Sequence, residues 1–258
     1  MHHDEYEVMA RAEEYHWWYR GLRDALRRTL LHPDLRPPLA PSVLDAGCGT
    51  GANLRFLAEL LEPAYLGGFD LSEQALALAR RKLSPFEADL YQSDLCDPIL
   101  PAADLDLIVS LDVVSMTGVT RALPGLCRMT ERLRVGGLLV LNLPAYAWLH
   151  SEHDVAVHTA ERFTLGAVRD LLGTLGLEIV RSSYRLCALF PAVVASRLPR
   201  LRSARSEDPK ARSQLQRRSG GGAIDAALLR VLQLENLLVA RGVSLPFGST
   251  VFAIGRKR

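Results

Sequence analysis

The side chains best able to do chemistry gather in four stretches. In Val43-Leu44-Asp45-Ala46-Gly47-Cys48-Gly49-Thr50-Gly51, an acid precedes three glycines at alternate positions. Such glycines let a ligand approach the backbone closely, and a helix that follows offers free N–H groups, so the chemistry is nucleotide binding. Asp70 and Leu71 end a second strand-like run roughly twenty positions after Gly47, where an acid grips ribose hydroxyls. A carboxylate suits that task because it accepts from both hydroxyls at once. Asp94 and Leu95 end a third such run. In the fourth stretch His150, His153 and His158 crowd together with Asp154. His153 and His158 are candidate general bases, because a histidine pKa of about 6.5 allows proton uptake near neutrality. Asp154 is the candidate orienter. The run lacks H-x-x-x-H spacing, so no metal is expected.

The glycine loop alone is ambiguous, since Gly47-x-Gly49-x-x-Ala52 also satisfies the loose dinucleotide fingerprint. Asp45-Ala46-Gly47-Cys48-Gly49-Thr50-Gly51 resembles motif I of the class I S-adenosylmethionine (SAM) methyltransferases. That resemblance implies SAM as cofactor, with S-adenosylhomocysteine as product. It also implies that Asp94 accepts from the adenine amine and that the backbone at Leu95 faces the ring. The carboxyl end of the fourth strand, at Ser110 and Leu111, would reach the methionine part. Many relatives carry a histidine a few residues later; here Met116 stands in that place. The block His16-Trp17-Trp18-Tyr19-Arg20 is similar to an N-terminal segment of some bacterial methyltransferases. By that likeness Trp18 lines the cofactor and Arg20 or Arg23 meets its carboxylate. Ser151, His153, Asp154 and His158 resemble a further block of such enzymes.

Elements that could position these groups follow from periodicity and punctuation. A helix is expected over residues 4–31, broken by the prolines of 33–41. Apolar runs at 43–44, 65–70, 86–91, 104–111, 138–143 and 177–184, with a closing run at 249–255, read as strands. Ser72 and Thr164 read as helix N-caps, and Gly136-Gly137 as a C-cap. Strands alternating with helices give a parallel sheet. The expected fold is a Rossmann-like α/β/α sandwich with seven mostly parallel strands and the last antiparallel. Residues 1–40 would form a helical lid, 41–190 the core, 191–246 a capping insertion, and 247–258 the closing strand.

Composition bounds the rest. The 258 residues are 48% hydrophobic and 23% charged, ordinary for a globular chain. A net charge of +2 gives no reason to expect nucleic acid. Scattered cysteines and the absence of a signal-like start suit a cytoplasmic location. Between Ser196 and Ser219 the chain is arginine-rich, so residues 190–218 are a candidate for peripheral contact with an anionic membrane. The expected activity is methyl transfer from SAM to a small-molecule acceptor. A non-methylating SAM-fold enzyme, such as a cyclase, and an NAD(P)-dependent oxidoreductase stay open as alternatives.

Overall fold

Seven strands form one sheet in the order β3-β2-β1-β4-β5-β7-β6. The computed structural model describes residues 3–101, 104–151, 154–155, 157–195 and 222–258. The strands are β1 (Ser42–Ala46), β2 (Tyr65–Asp70), β3 (Asp89–Gln92), β4 (Leu105–Leu111), β5 (Leu133–Pro144), β6 (Leu177–Arg185) and β7 (Thr250–Lys257). The first five pair in parallel, and β7 runs antiparallel between β5 and β6. The expected seven-stranded, mostly parallel sandwich is therefore the observed architecture. Strands β1 and β4 are buried along their whole length, which explains their unbroken apolar runs.

The helices are α1 (His3–Tyr15), α2 (Trp17–Leu30), α3 (Ala52–Leu61), α4 (Glu73–Lys82), α5 (Val114–Thr117), α6 (Val119–Glu131), α7 (Leu165–Thr174) and α8 (Ala223–Ala240). They cover both faces of the sheet. One core joins Leu44, Phe69, Ile108 and Leu141 to α6 and α7. The other joins Val43, Val109, Val140 and Phe252 to α2, α3 and α4, with Val239 of α8.

Local signals place several boundaries. Ser72 Oγ accepts from Ala75 N at 3.3 Å, and Thr164 Oγ1 from Ala167 N at 3.2 Å, so both N-caps form. Two expectations need correction. The single helix over 4–31 is two helices, because His16 adopts an extended backbone and its ring accepts from Trp18 N at 3.3 Å as the N-cap of α2. Gly136-Gly137 is not a C-cap: α6 ends at Glu131, and both glycines lie inside β5. A Cβ on Gly137 would sit 2.8 Å from Arg134 O, so close backbone packing explains that glycine. Among the described residues, no helix is long and apolar enough to cross a membrane.

Candidate functional site

The carboxyl ends of β1, β2, β4 and β5 meet along one edge, and the glycine loop closes its centre. Gly47 N and Cys48 N both donate to Phe69 O at 2.8 Å, tying the loop to β2. All three loop glycines have positive φ: 86° at Gly47, 53° at Gly49 and 81° at Gly51. A Cβ on Gly47 would lie 2.3 Å from Val113 Cγ2, and one on Gly51 would lie 2.9 Å from Ala79 Cβ. These two glycines therefore serve close packing. Gly49 differs: among the described residues, a Cβ there would meet only Met9 Cε of α1, at 3.6 Å. Gly49 is the least crowded of the three loop glycines.

Asp70 is fixed beside it. Its Oδ2 accepts from Gly49 N at 2.9 Å and its Oδ1 from Ser72 N at 2.9 Å. Burial raises its pKa, and those backbone donors oppose the rise. Asp45 is buried under the loop, 2% exposed. Burial pushes its carboxyl up to about 8, with the charges of Asp70 and Glu13 adding to the effect.

Helix α1 lies over this loop. The Glu13 carboxylate accepts from Thr50 Oγ1 and pairs with Lys82 Nζ at 2.7 Å, and Lys82 also donates to Thr50 at 3.2 Å. Tyr6 stands beside Ser72 and Asp70. Thus α1 touches the loop.

A second polar group sits at the ends of β4 and β5. Asp112 has φ 64°, a left-handed conformation uncommon outside glycine. Both its carboxylate oxygens accept from Asn142 Nδ2, at 3.1 and 3.0 Å. Burial pushes its carboxyl up to about 7, opposed by the Asn142 bond and by Arg185 and Arg162. Asn142 Oδ1 accepts from Arg185 Nη1 at 3.2 Å. Arg185 is 2% exposed and donates also to Asn236 Oδ1 at 3.1 Å and Gly21 O at 3.0 Å. Burial lowers its pKa to about 10, with Glu235, Asp112 and Asp24 resisting. Asn236 Nδ2 donates to Gly21 O at 2.8 Å and to Asp24 at 2.9 Å. One hydrogen-bonded chain thus links β4, β5, β6, α8 and α2. Residues this far apart leave no local pattern, so the sequence gives no warning of it.

Residues 43–137 match the family model described as "Methyltransferase domain". Over this segment the chain is similar to methyltransferases, in keeping with the SAM-dependent class that its glycine loop resembles. The match resolves the glycine loop in favour of SAM over a dinucleotide. The chain is 34% identical over 131 residues to the biotin biosynthesis bifunctional protein BioCD of Bordetella avium, covering 51% of this chain and 27% of that one. It is also 34% identical over 126 residues to a trans-aconitate 2-methyltransferase of Azoarcus sp., covering 48% and 45%. The chain thus spans about half or less of the length of these curated relatives. A SAM-dependent methyltransferase from Clostridium acetobutylicum superposes with TM-score 0.58 at 11% identity, covering 93% of this chain and 92% of that one, a likeness of fold.

The remaining sequence candidates distribute unevenly around the methyltransferase cradle. Asp94 Oδ1 accepts from Cys96 N at 2.9 Å, a local turn at the end of β3, and Leu95 is buried against α6. Ser110 is fully buried on β4 and its hydroxyl has no partner among the described residues, while Leu111 packs in the core under α2. Leu71 is 66% exposed beside Asp70. Trp18 packs on the core and Arg20 is exposed. Arg23 donates to Glu13 O, which joins α2 to α1.

His153 lies outside the described residues. His158 is exposed in a turn with φ 57°. Asp154 is buried, and its carboxylate accepts from Ser151 N at 2.8 Å, Ser151 Oγ at 2.9 Å, Arg162 Nε at 2.9 Å and Arg162 Nη2 at 3.1 Å. Burial pushes its pKa up, but the Arg162 guanidinium and the Ser151 hydroxyl outweigh that and hold it below the usual carboxylate range. Among the described residues its carboxylate is held by Ser151 and Arg162, while His153, the base it would orient, lies outside them. Arg162 Nη1 in turn donates to Ala145 O at 2.7 Å, so this carboxylate orders the loop after β5.

Proposed function

We propose that the protein transfers a methyl group from SAM to a small-molecule acceptor. The observation that carries this is the cradle made by Gly49 and Asp70. It combines the least crowded of the loop glycines with a carboxylate whose two oxygens are held by Gly49 N and Ser72 N. Held in this way, the carboxylate can accept from ribose hydroxyls. When bound, SAM supplies a methyl group already activated on sulfur. The chain's own task is then to align the acceptor, exclude water and, for a hydroxyl acceptor, take a proton.

In this reading Asp70 and Leu71 hold the ribose, Asp94 and Leu95 the adenine, and the β4 end the methionine part. Residues 1–40 and 191–246 cap the core of 41–190 and 247–258. His153 and His158 are the candidate bases, and their double alanine variant should then lose turnover while retaining SAM. The relatives named above act in small-molecule metabolism by their names, which supports a small acceptor. Contact of residues 190–218 with an anionic membrane is proposed from charge alone, and vesicle flotation tests it.

Calorimetry with SAM is the direct experiment. Wild type should bind, and Asp70→Ala should bind roughly 10- to 100-fold more weakly, as expected for losing hydrogen bonds to a charged acceptor. Unchanged affinity would remove the ribose assignment, and binding of a nicotinamide cofactor in place of SAM would remove the methyltransferase reading.

A further inference from the structure

We propose that the outer face of α8 rests on an anionic lipid surface. This contact is separate from the cofactor edge and does not depend on the SAM reading.

Helix α8 is apolar on both sides. Its inner side buries Leu229, Leu232 and Val239. Leu232 packs so closely on α2 that a Cβ on Gly21 would lie 2.4 Å from Leu232 Cδ1. Its outer side carries Ile224, Ala227, Val231, Leu234 and Leu238, and steps of three and four residues stack them into one stripe. Three large aliphatic side chains of the stripe face outward: Ile224 is 74% exposed, Leu234 67% and Leu238 42%. A helix that is apolar all round calls for a cover on its outer side as well.

Charge indicates which cover. Arg230 stands one turn from Ala227 and Leu234, Arg241 stands one turn from Leu238, and both arginines are exposed. The two acids of α8 lie away from the stripe. Glu235 is buried and accepts from Ala188 N at 2.6 Å and Cys187 N at 3.1 Å. Asp225 is two turns before Leu232, on the inner side. The outer face of α8 thus offers aliphatic groups edged by guanidinium groups, which match acyl chains edged by anionic headgroups. The sequence leading into α8 has the same sign: Ser196 to Ser219 holds eight basic and two acidic residues.

Size argues against a second copy as the cover. A helix of 18 residues is about 27 Å long, so a stripe about 10 Å wide offers roughly 300 Å². Two copies would bury roughly half of the ~1,200 Å² at the lower end of specific interfaces. Among the described residues no helix can cross a bilayer, and the inner side of α8 is committed to α2, so the stripe lies along the lipid surface.

Flotation of the full chain with vesicles containing phosphatidylglycerol tests the contact, with pure phosphatidylcholine vesicles as the neutral control. Wild type should float with the first and stay behind with the second, and added salt should weaken the binding. Leu234→Gln/Leu238→Gln keeps the helix propensity and removes two leucines from the lipid contact. It should partition roughly 10- to 100-fold less onto the anionic vesicles, with an unchanged melting temperature and an unchanged mass by light scattering. Wild type that ignores the anionic vesicles would overturn the proposal. So would a variant that binds them as well as wild type, since the basic sequence alone would then make the contact. A variant that separates from a dimer would give the stripe to a second copy, and one that melts several degrees lower would show that the protein itself covers it. Either result would overturn the proposal as well.

Discussion

Replacing Asp45 with Asn should stabilise the protein, and increasingly so as pH rises. Asp45 is 2% exposed, and burial with the charges of Asp70 and Glu13 raises its pKa to about 8. In an unfolded chain an aspartate titrates near 3.9. Between those two values the unfolded state has released the proton and the folded state retains it. Folding stability therefore falls with pH in this window, by about 1.4 kcal/mol per unit for one group. From pH 5 to pH 7.5 the loss amounts to about 3 kcal/mol. Asn mimics the protonated acid in shape and has no such slope. Urea denaturation of both proteins at several pH values isolates the effect, because groups common to both cancel in the difference. The difference should grow by about 3 kcal/mol in favour of Asp45→Asn across that range. Asp70 shares the titration, so the step belongs to the pair rather than to one residue. Parallel stability curves would refute the argument, since they would mean that Asp45 is ionised in both states or in neither.

Gly47→Ala should destabilise by roughly 2 to 5 kcal/mol, from the left-handed backbone and from overpacking against Val113. Adding Val113→Ala should recover the packing part alone, and denaturant midpoints measure both; full recovery would show that φ carries no cost. Arg185→Met should cost about 3 to 5 kcal/mol by thermal denaturation, because it leaves the buried Asn142 Oδ1 and Asn236 Oδ1 without their guanidinium donor. Arg185→Lys should not restore it, because one ammonium cannot reproduce a planar fork directed at three acceptors; recovery by lysine would mean that charge alone matters there.

What the sequence disclosed was local or periodic. Alternate glycines, the caps at Ser72 and Thr164, and the apolar runs of β1, β4 and β5 each carry their signal within a few residues. The sheet and the glycine loop could be read for that reason. His16 escaped because the amphipathic pattern of 4–31 runs through it and histidine is an unusual N-cap. Gly136-Gly137 misled because a glycine needed for close packing in a strand looks the same as one ending a helix. Glu13 gave no sign of its partners: Thr50 and Lys82 are 37 and 69 positions away. The same holds for Asp112, whose environment is assembled from β5 and β6. Non-local electrostatics, rather than secondary structure, is what the sequence withheld about this site.

The bonds from Gly21 O to Arg185 and Asn236 also constrain the order in which the chain can mature on the ribosome. Helix α2 is made early, yet its polar partners lie 164 and 215 positions later. At the ~5 to 20 residues per second of synthesis, the wait for Asn236 is roughly ten to forty seconds. During that time the face of α2 that will meet α8 has no partner, and Leu22, Leu26 and Leu30 must find the sheet core without it. Docking of α2 and completion of the cofactor edge are therefore late events, gated by release of the C-terminal helix. A ribosome-stalled chain ending before residue 236 should be correspondingly slow to acquire protease resistance in its first thirty residues.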